Sequence, residues 1–345
     1  MSAGGPVGAG DPVGDLPPAD PPSLRQRAAY LRYLAAWETA AHAPEPLARR
    51  LPAQLGRAWY LAAPVAQRRQ VRANLARIRG DADERELTRL VREAYVHYAR
   101  YWLDAFRLHR MDGEAVVAAS TAEGLHHVDA VRDAGRGGIF ATAHLGSWDV
   151  GAFFTTQRRW GMVVVAEVVE PRALFDRFVR LREQAGIGVI PLVRGGDVLG
   201  RLERAVREDG ALATLLADRD LTRHGPIVEF FGEPCRLPAG PAALARRTGL
   251  PVHVGAFLAA GDGFHGVVHP PIDVAHLDVL DGTQAVAHEL ERLIGRFPTQ
   301  WHVFVRNWLA DREPDHPVVA AWRGGRDWRA LARAERAGRD GEGAA

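Results

Sequence analysis

The sequence predicts an α/β fold, a mainly parallel central sheet flanked by helices and preceded by an N-terminal helical section. Two observations carry that prediction. From about residue 136 onward, short apolar runs alternate with stretches of helical spacing, the pattern of parallel strands joined by crossover helices. Before that point, from 24 to about 107, apolar side chains recur every three or four positions instead. The composition is ordinary for a globular chain, with 345 residues, 47% of them apolar and 25% charged, enough for a substantial core.

The elements follow in order. Residues 1–22 (MSAGGPVGAGDPVGDLPPADPP) hold too few large apolar groups to offset the entropy of ordering, and a disordered leader is expected. A single domain is expected over 23–322, with its helical section at 23–134 and its α/β core at 135–310. In the helical section the spacing runs through Leu31, Leu34 and Trp37, then Leu47, Leu51, Leu55 and Trp59, then Leu90, Ala94, Tyr98 and Trp102, with Pro44, Pro46 and Pro64 as breaks. Strands are predicted at 139–143, 162–166, 189–192 and 211–217, with helices near 148–158, 172–185 and 196–208 between them. Further strands are expected at 227–231, 251–257 and 266–268, and further helices near 238–248 and 283–296. A charged tail, a solvated helix or a loose end, closes the chain at 323–345.

Counting excludes several chemistries. All 44 basic side chains are arginine, so Schiff-base formation, a cofactor-anchoring lysine and a lysine-containing nucleotide loop are closed. Against 42 acidic groups they leave a net charge of +2, which does not by itself imply nucleic acid. Only Ser2, Ser23, Ser120 and Ser147 exist, none in a Gly-x-Ser-x-Gly turn, which argues against a serine hydrolase. Cys235, the one cysteine, reads as a small buried apolar residue rather than a nucleophile. His265 with His269, and His126 and His127 with Asp129, lack a further ligand at suitable spacing, and no metal site is expected. No apolar run reaches the roughly 18 residues that a membrane span needs.

The sharper candidate is ATAHLGSWDVGAF, where His144 ends a strand and Asp149 follows in the next helix. His-x4-Asp/Glu occurs four times in the chain, at His109/Glu114, His144/Asp149, His224/Glu229 and His276/Asp281, so the spacing alone is weak. At His144 alone does a strand run through a Gly-containing turn into a helix, where open α/β sheets bind ligands. Ser147 is the expected N-cap, which puts Asp149 in the first helical turn with its carboxylate able to turn back to the imidazole. A carboxylate on one ring nitrogen fixes the tautomer and makes the other a general base. The alternative is a capping aspartate beside an incidental histidine.

AHLGSWD, together with ADRDLTRHGPIVEFFGEPCRLPAGPAALARRTGLPV, resembles the bacterial lysophospholipid acyltransferase superfamily and its HxxxxD motif. The resemblance lies in the branch of lipid A late acyltransferases, in particular the actinobacterial phosphatidylinositol mannoside acyltransferases. It spans about 45–310, including VRANLARI, YARYWLDAFRL, AEVVEPRALFDRFVRLRE and PTQWHVFVRNW. It implies that His144 deprotonates an acceptor hydroxyl which attacks an acyl thioester, with Asp149 orienting the histidine. It further implies substrate-binding roles for Glu167, Arg182 and Asp218. Glu167 and Asp218 each end or follow an apolar run, on the same sheet edge as His144, and an arginine there would steady an oxyanion or phosphate. Phe230 and Phe231 are expected near an apolar acyl tunnel, whereas Pro238, Gly240 and Pro241 are expected to open a helix.

Membrane contact is expected from SLRQRAAYLRYLAAW, with Tyr30, Leu31, Leu34 and Trp37 beside Arg25, Arg27 and Arg32, and from the five arginines of RRQVRANLARIR. The expected protein is therefore a peripheral enzyme of the cytoplasmic membrane face. It would take acyl-CoA as donor and an anionic glycolipid as acceptor, without cofactor, metal or nucleic acid. A thioesterase and a non-catalytic lipid- or phosphate-binding protein are the alternatives.

Overall fold

The computed structural model describes Leu16, residues 21–193 and residues 195–342. Most of the expected leader lies outside these, although Leu16 itself is buried in a small cluster with Ala166, Phe175, Val179 and Val189. Four helices open the described chain: α1 (Leu24–His42), α2 (Glu45–Ala62), α3 (Val65–Ile78) and α4 (Glu84–Arg107). Helix α4 begins where the Asp83 carboxylate accepts the Glu86 amide at 2.7 Å, a cap worth about 1 kcal/mol. Its buried stripe, Leu87, Leu90, Val91, Ala94, Tyr95 and Tyr101, packs it across the domain.

The α/β section follows the expected alternation. Short helices α5 (Gly113–Ala118) and α6 (His126–Asp133) flank β1 (Ser120–Glu123), a strand the sequence reading missed because its residues are half exposed and weakly apolar. Then come β2 (Gly138–Thr142), α7 (Trp148–Gln157), β3 (Met162–Glu167), α8 (Arg172–Gln184), β4 (Ile187–Leu192), α9 (Val198–Arg207) and β5 (Leu212–Leu216). A hairpin of β6 (Ile227–Phe230) and β7 (Glu233–Arg236) leads to α10 (Gly240–Thr248), β8 (Val252–Ala260), β9 (Gly263–Val268) and α11 (Val279–Arg296). Three helices finish the described chain: α12 (Leu309–Arg312), α13 (Pro317–Arg323) and α14 (Arg329–Glu342). The expected charged tail thus contains a helix, and Trp328 and Ala332 bury themselves against Val318 and Val319 of α13.

Seven strands form the main sheet in the order β1-β9-β8-β2-β5-β3-β4, with only the β8–β9 pair antiparallel. Apolar side chains fill both faces, as expected of strands covered on each side by helices. One face packs Ile139, Ala141 and Val163 against α9, α10 and α11, and the other packs Met162, Ile187 and Leu212 against α7. Because β2, β5 and β3 run parallel side by side, the residues following them emerge at one edge.

Candidate active site

At that edge the chain leaves β2 through Ala143, His144 and Leu145 into a turn held on two sides. Gly146 donates its amide to the Gln300 carbonyl at 2.9 Å, Ser147 to the Phe257 carbonyl at 2.7 Å, and His302 to the His144 carbonyl at 2.7 Å. Gly146 has φ +67°, and a Cβ there would stand 2.3 Å from the Phe257 carbonyl oxygen, so only glycine lets the turn close. Ser147 occupies the N-cap position of α7 but does not cap it; its hydroxyl donates to Asp104 at 3.0 Å.

The imidazole is held by Asp218, not by Asp149. His144 Nδ1 lies 2.8 Å from Asp218 Oδ1, and the His144 amide donates to Oδ2 at 3.0 Å. Asp218 is fully buried just beyond β5, and its second oxygen also accepts Trp301 Nε1–H at 2.6 Å. Asn307 fixes its backbone through a 2.9 Å bond to the Asp218 carbonyl. Burial pushes this carboxyl up, but the His144 charge, the His144 and Trp301 hydrogen bonds and the His144 amide outweigh it and hold the pKa below 3.8. An ionised carboxylate can only accept, so Nδ1 carries a proton toward Asp218 and Nε2 is the ring nitrogen left uncommitted to it.

Asp149 serves other partners. Its Oδ1 accepts Arg182 Nε–H at 2.8 Å and its Oδ2 accepts the Tyr101 hydroxyl at 3.0 Å. Entering α7 in its first turn, the carboxylate is aimed at α4 and α8 rather than back across the turn, which is why the five-residue spacing misled. Burial pushes the Tyr101 hydroxyl well above its ordinary value, and the Asp149 charge adds to it. Burial alone would lower the Arg182 pKa; the charge and hydrogen bond of Asp149 reverse this and keep the guanidinium charged. Tyr101 also stacks on Trp148 at 3.8 Å, and the Trp148 ring meets the His144 ring edge-on at 5.4 Å.

These groups open onto a cavity of about 650 Å³ lined by His144, Asp149, Glu167 and Arg182. The volume suits a sizeable organic ligand. The walls are mainly apolar and reach Met162, Ile187 and Leu212, the first residues of β3 and β4 and of β5, so the cavity follows the sheet from one edge to the other. His144 lies six positions beyond Gly138, which is level with Leu212, a span of up to roughly 20 Å at about 3.3 Å per residue. Trp160 also lines the cavity at that far end, with its Nε1–H donated to the Gly210 carbonyl at 3.0 Å.

Several expected residues stand elsewhere. Glu167 is exposed at the end of β3 and lines the cavity. Phe230 and Phe231 are not among the described lining residues. Phe230 is fully buried against Trp301 and Trp308, because the β6–β7 hairpin turns that face into the core, and the Phe231 amide donates to Glu291. Pro238 and Gly240, expected only to start a helix, do line the cavity. Cys235 is buried, and burial pushes its thiol far up. His265 bonds Thr121 at 2.8 Å and His269 bonds Glu289 at 2.9 Å, while Asp129 is taken by Arg132 and Arg158. Among the described residues no three such groups are placed to hold a metal ion.

His302 was also missed. It stacks flat on Tyr98 at 4.8 Å, with a buried Nδ1 that has no hydrogen-bond partner among the described residues. Burial, then the neighbouring charges of His97 and His144, hold it well below 6.5. Trp301, His302 and Asn307 lie far along the chain from His144 and carry no motif spacing; only the folded topology brings them to it.

Residues 22–310 match the family described as bacterial lipid A biosynthesis acyltransferase. The phosphatidylinositol mannoside acyltransferase of Mycolicibacterium smegmatis is 36% identical over 284 residues, covering 81% of this chain and 91% of that protein. The protein of the same name from Mycobacterium tuberculosis is 37% identical over 247 residues, covering 70% and 77%. With a match across most of its length, the chain belongs to the bacterial lipid A biosynthesis acyltransferase family and is an acyltransferase.

Proposed function

We propose that the protein transfers a fatty acyl group from acyl-CoA to a hydroxyl of an anionic membrane glycolipid, a mannose of a phosphatidylinositol mannoside, with His144 as general base. The observation that carries this reading is the His144–Asp218 pair at the mouth of a long apolar cavity. The names of the mycobacterial relatives support the acceptor.

In this mechanism the acyl chain lies along the sheet with its thioester carbonyl at the mouth. His144 Nε2 takes the proton of the mannose hydroxyl as its oxygen attacks the carbonyl carbon, and buried Asp218 stabilises the imidazolium that forms. The terminal nitrogens of Arg182, whose Nε is committed to Asp149, stabilise the tetrahedral oxyanion. Collapse breaks the carbon–sulfur bond, and the thiolate takes the proton from His144, giving the ester and free CoA. The reaction balances without a metal or redox cofactor.

The protein works from the cytoplasmic membrane surface. No helix among the described residues is long and apolar enough to cross a bilayer. Leu24 and Leu31 of α1 and Leu61 of α2 stand 83%, 61% and 73% exposed, and Arg25, Arg27 and Arg32 are exposed beside them. Of the apolar residues expected there, Leu31 is on this exposed surface, while Trp37 packs inward on Phe106 and Phe178. In and just after α3, Arg72 pairs with Glu84, Arg77 with Asp311 and Glu233, and Arg79 with Glu86.

Purified protein given palmitoyl-CoA and phosphatidylinositol mannoside should release CoA and yield the acylated lipid. His144→Ala should abolish both while melting normally. CoA release that proceeds equally without acceptor would make the protein a thioesterase, and full transfer by His144→Ala would refute the mechanism.

A further inference from the structure

The cavity is lined by four arginines, and their partners differ. Arg132 pairs with Asp129 at 2.9 Å, Arg158 with Asp129 at 2.8 Å and Arg182 with Asp149 at 2.8 Å. Arg219, half-buried at the mouth beside His144, has no ion pair or hydrogen bond to any described residue. Its charge acts on Tyr98, whose hydroxyl it lowers against the stronger upward push of burial.

The two carboxylates that flank it in the chain are both committed. Asp218 holds His144 and Trp301, and Asp220 holds its own loop, accepting Thr222 N at 2.9 Å, Thr222 Oγ1 at 2.7 Å and Gly225 N at 3.0 Å. Arg312 adds a 2.8 Å bond to the Asp220 carbonyl. The backbone of Arg219 is therefore fixed on either side by buried, fully engaged neighbours. Its side chain lines the cavity with no ion pair to any described residue.

We propose that Arg219 is the phosphate-recognition group of this site. The inference rests on the acyl-transfer reading for the identity of the two substrates. Their reacting groups, a thioester and a hydroxyl, are neutral, and the anions they bring to the mouth are phosphate esters, those of CoA or the phosphodiester of the glycolipid. A planar guanidinium fork matches two phosphate oxygens and cannot lose its charge, and a partly desolvated one gains most from such a partner. A backbone fixed before binding lowers the ordering cost.

The test compares wild type with Arg219→Gln on matched substrates. Palmitoyl-CoA is set against palmitoyl-pantetheine, which lacks the phosphates, and phosphatidylinositol mannoside against methyl mannoside. Loss of the charge should raise KM about tenfold or more for one phosphate-bearing substrate, and far less for its phosphate-free counterpart. The substrate affected identifies the source of the phosphate. Arg219→Lys should recover part of the loss, and unchanged melting of both variants separates recognition from folding.

A second arm needs no turnover: calorimetric binding of free CoA, and of vesicles containing phosphatidylinositol mannoside, to both proteins. Weakening of either by Arg219→Gln sustains the proposal even if the wild-type protein transfers no acyl group, an outcome that would sink only the functional reading. Equal KM ratios for the phosphate-bearing and phosphate-free substrates, or equal binding of both ligands by wild type and variant, would overturn it.

Discussion

At the scale of single residues, the two aspartates near His144 have different work, and substitution separates them. Asp218→Asn keeps the shape but removes the acceptor that fixes the imidazole tautomer; by analogy with the serine-protease triad, kcat should fall about 10³–10⁴-fold with KM little changed. Asp149→Asn leaves the His144–Asp218 pair untouched and strips the counter-charge from half-buried Arg182, so it should cost stability, up to about 3 kcal/mol, as a broken buried pair does. Parallel melting curves and steady-state kinetics check both, and a reversed pattern would restore Asp149 as the partner of His144. The sequence made His144 legible through its strand, turn and helix context, and placed Asp218 on the same edge. It did not reveal their pairing, because Asp218 lies 74 positions away and Trp301 a further 83 beyond it. Asp149, five positions from His144, looked closer only along the chain.

At the scale of elements, alternation of apolar runs and helical spacing was enough to find β2, β3, β4, β5 and the helices between them, since each buries a continuous apolar face. Strand β1 escaped because it is a half-exposed edge strand whose pairing with β9 is set by the sheet rather than by its own residues. Strand β7 escaped because Pro234 and Cys235 carry no alternation. The apolar residues expected on one face of α1 divide: Trp37 is drawn inward by two aromatic rings, while Leu31 stands outward together with Leu24. Membrane contact through that face predicts that Leu24→Gln with Leu31→Gln lowers sedimentation with anionic vesicles several-fold, while CoA release from a soluble acceptor persists. Undiminished sedimentation would place the contact elsewhere.

For the whole molecule, acid stability follows from its buried titrating groups. Burial holds His302 and His97 below 6.5 in the folded chain, so the unfolded chain takes up protons first as pH falls. Their contribution is complete above about 6.5 and is lost on acidification; Asp218, depressed below 3.8, adds a further loss at lower pH. Melting temperature should therefore be flat near pH 8, decline below about 6.5 and drop more steeply near 4. His302→Phe keeps a ring against Tyr98 and removes one titration, so its decline between pH 7 and 5 should be shallower; an unchanged slope would show that His302 does not govern it. The site also joins distant parts of the chain. His144 follows β2, its carboxylate partner Asp218 follows β5, and the bonds that lock both come from residues 300–307. A ribosome making this protein must therefore pass residue 307 before the His144–Asp218 pair can be locked in place, so a nascent chain that stops short of it carries both side chains without the bonds that hold them.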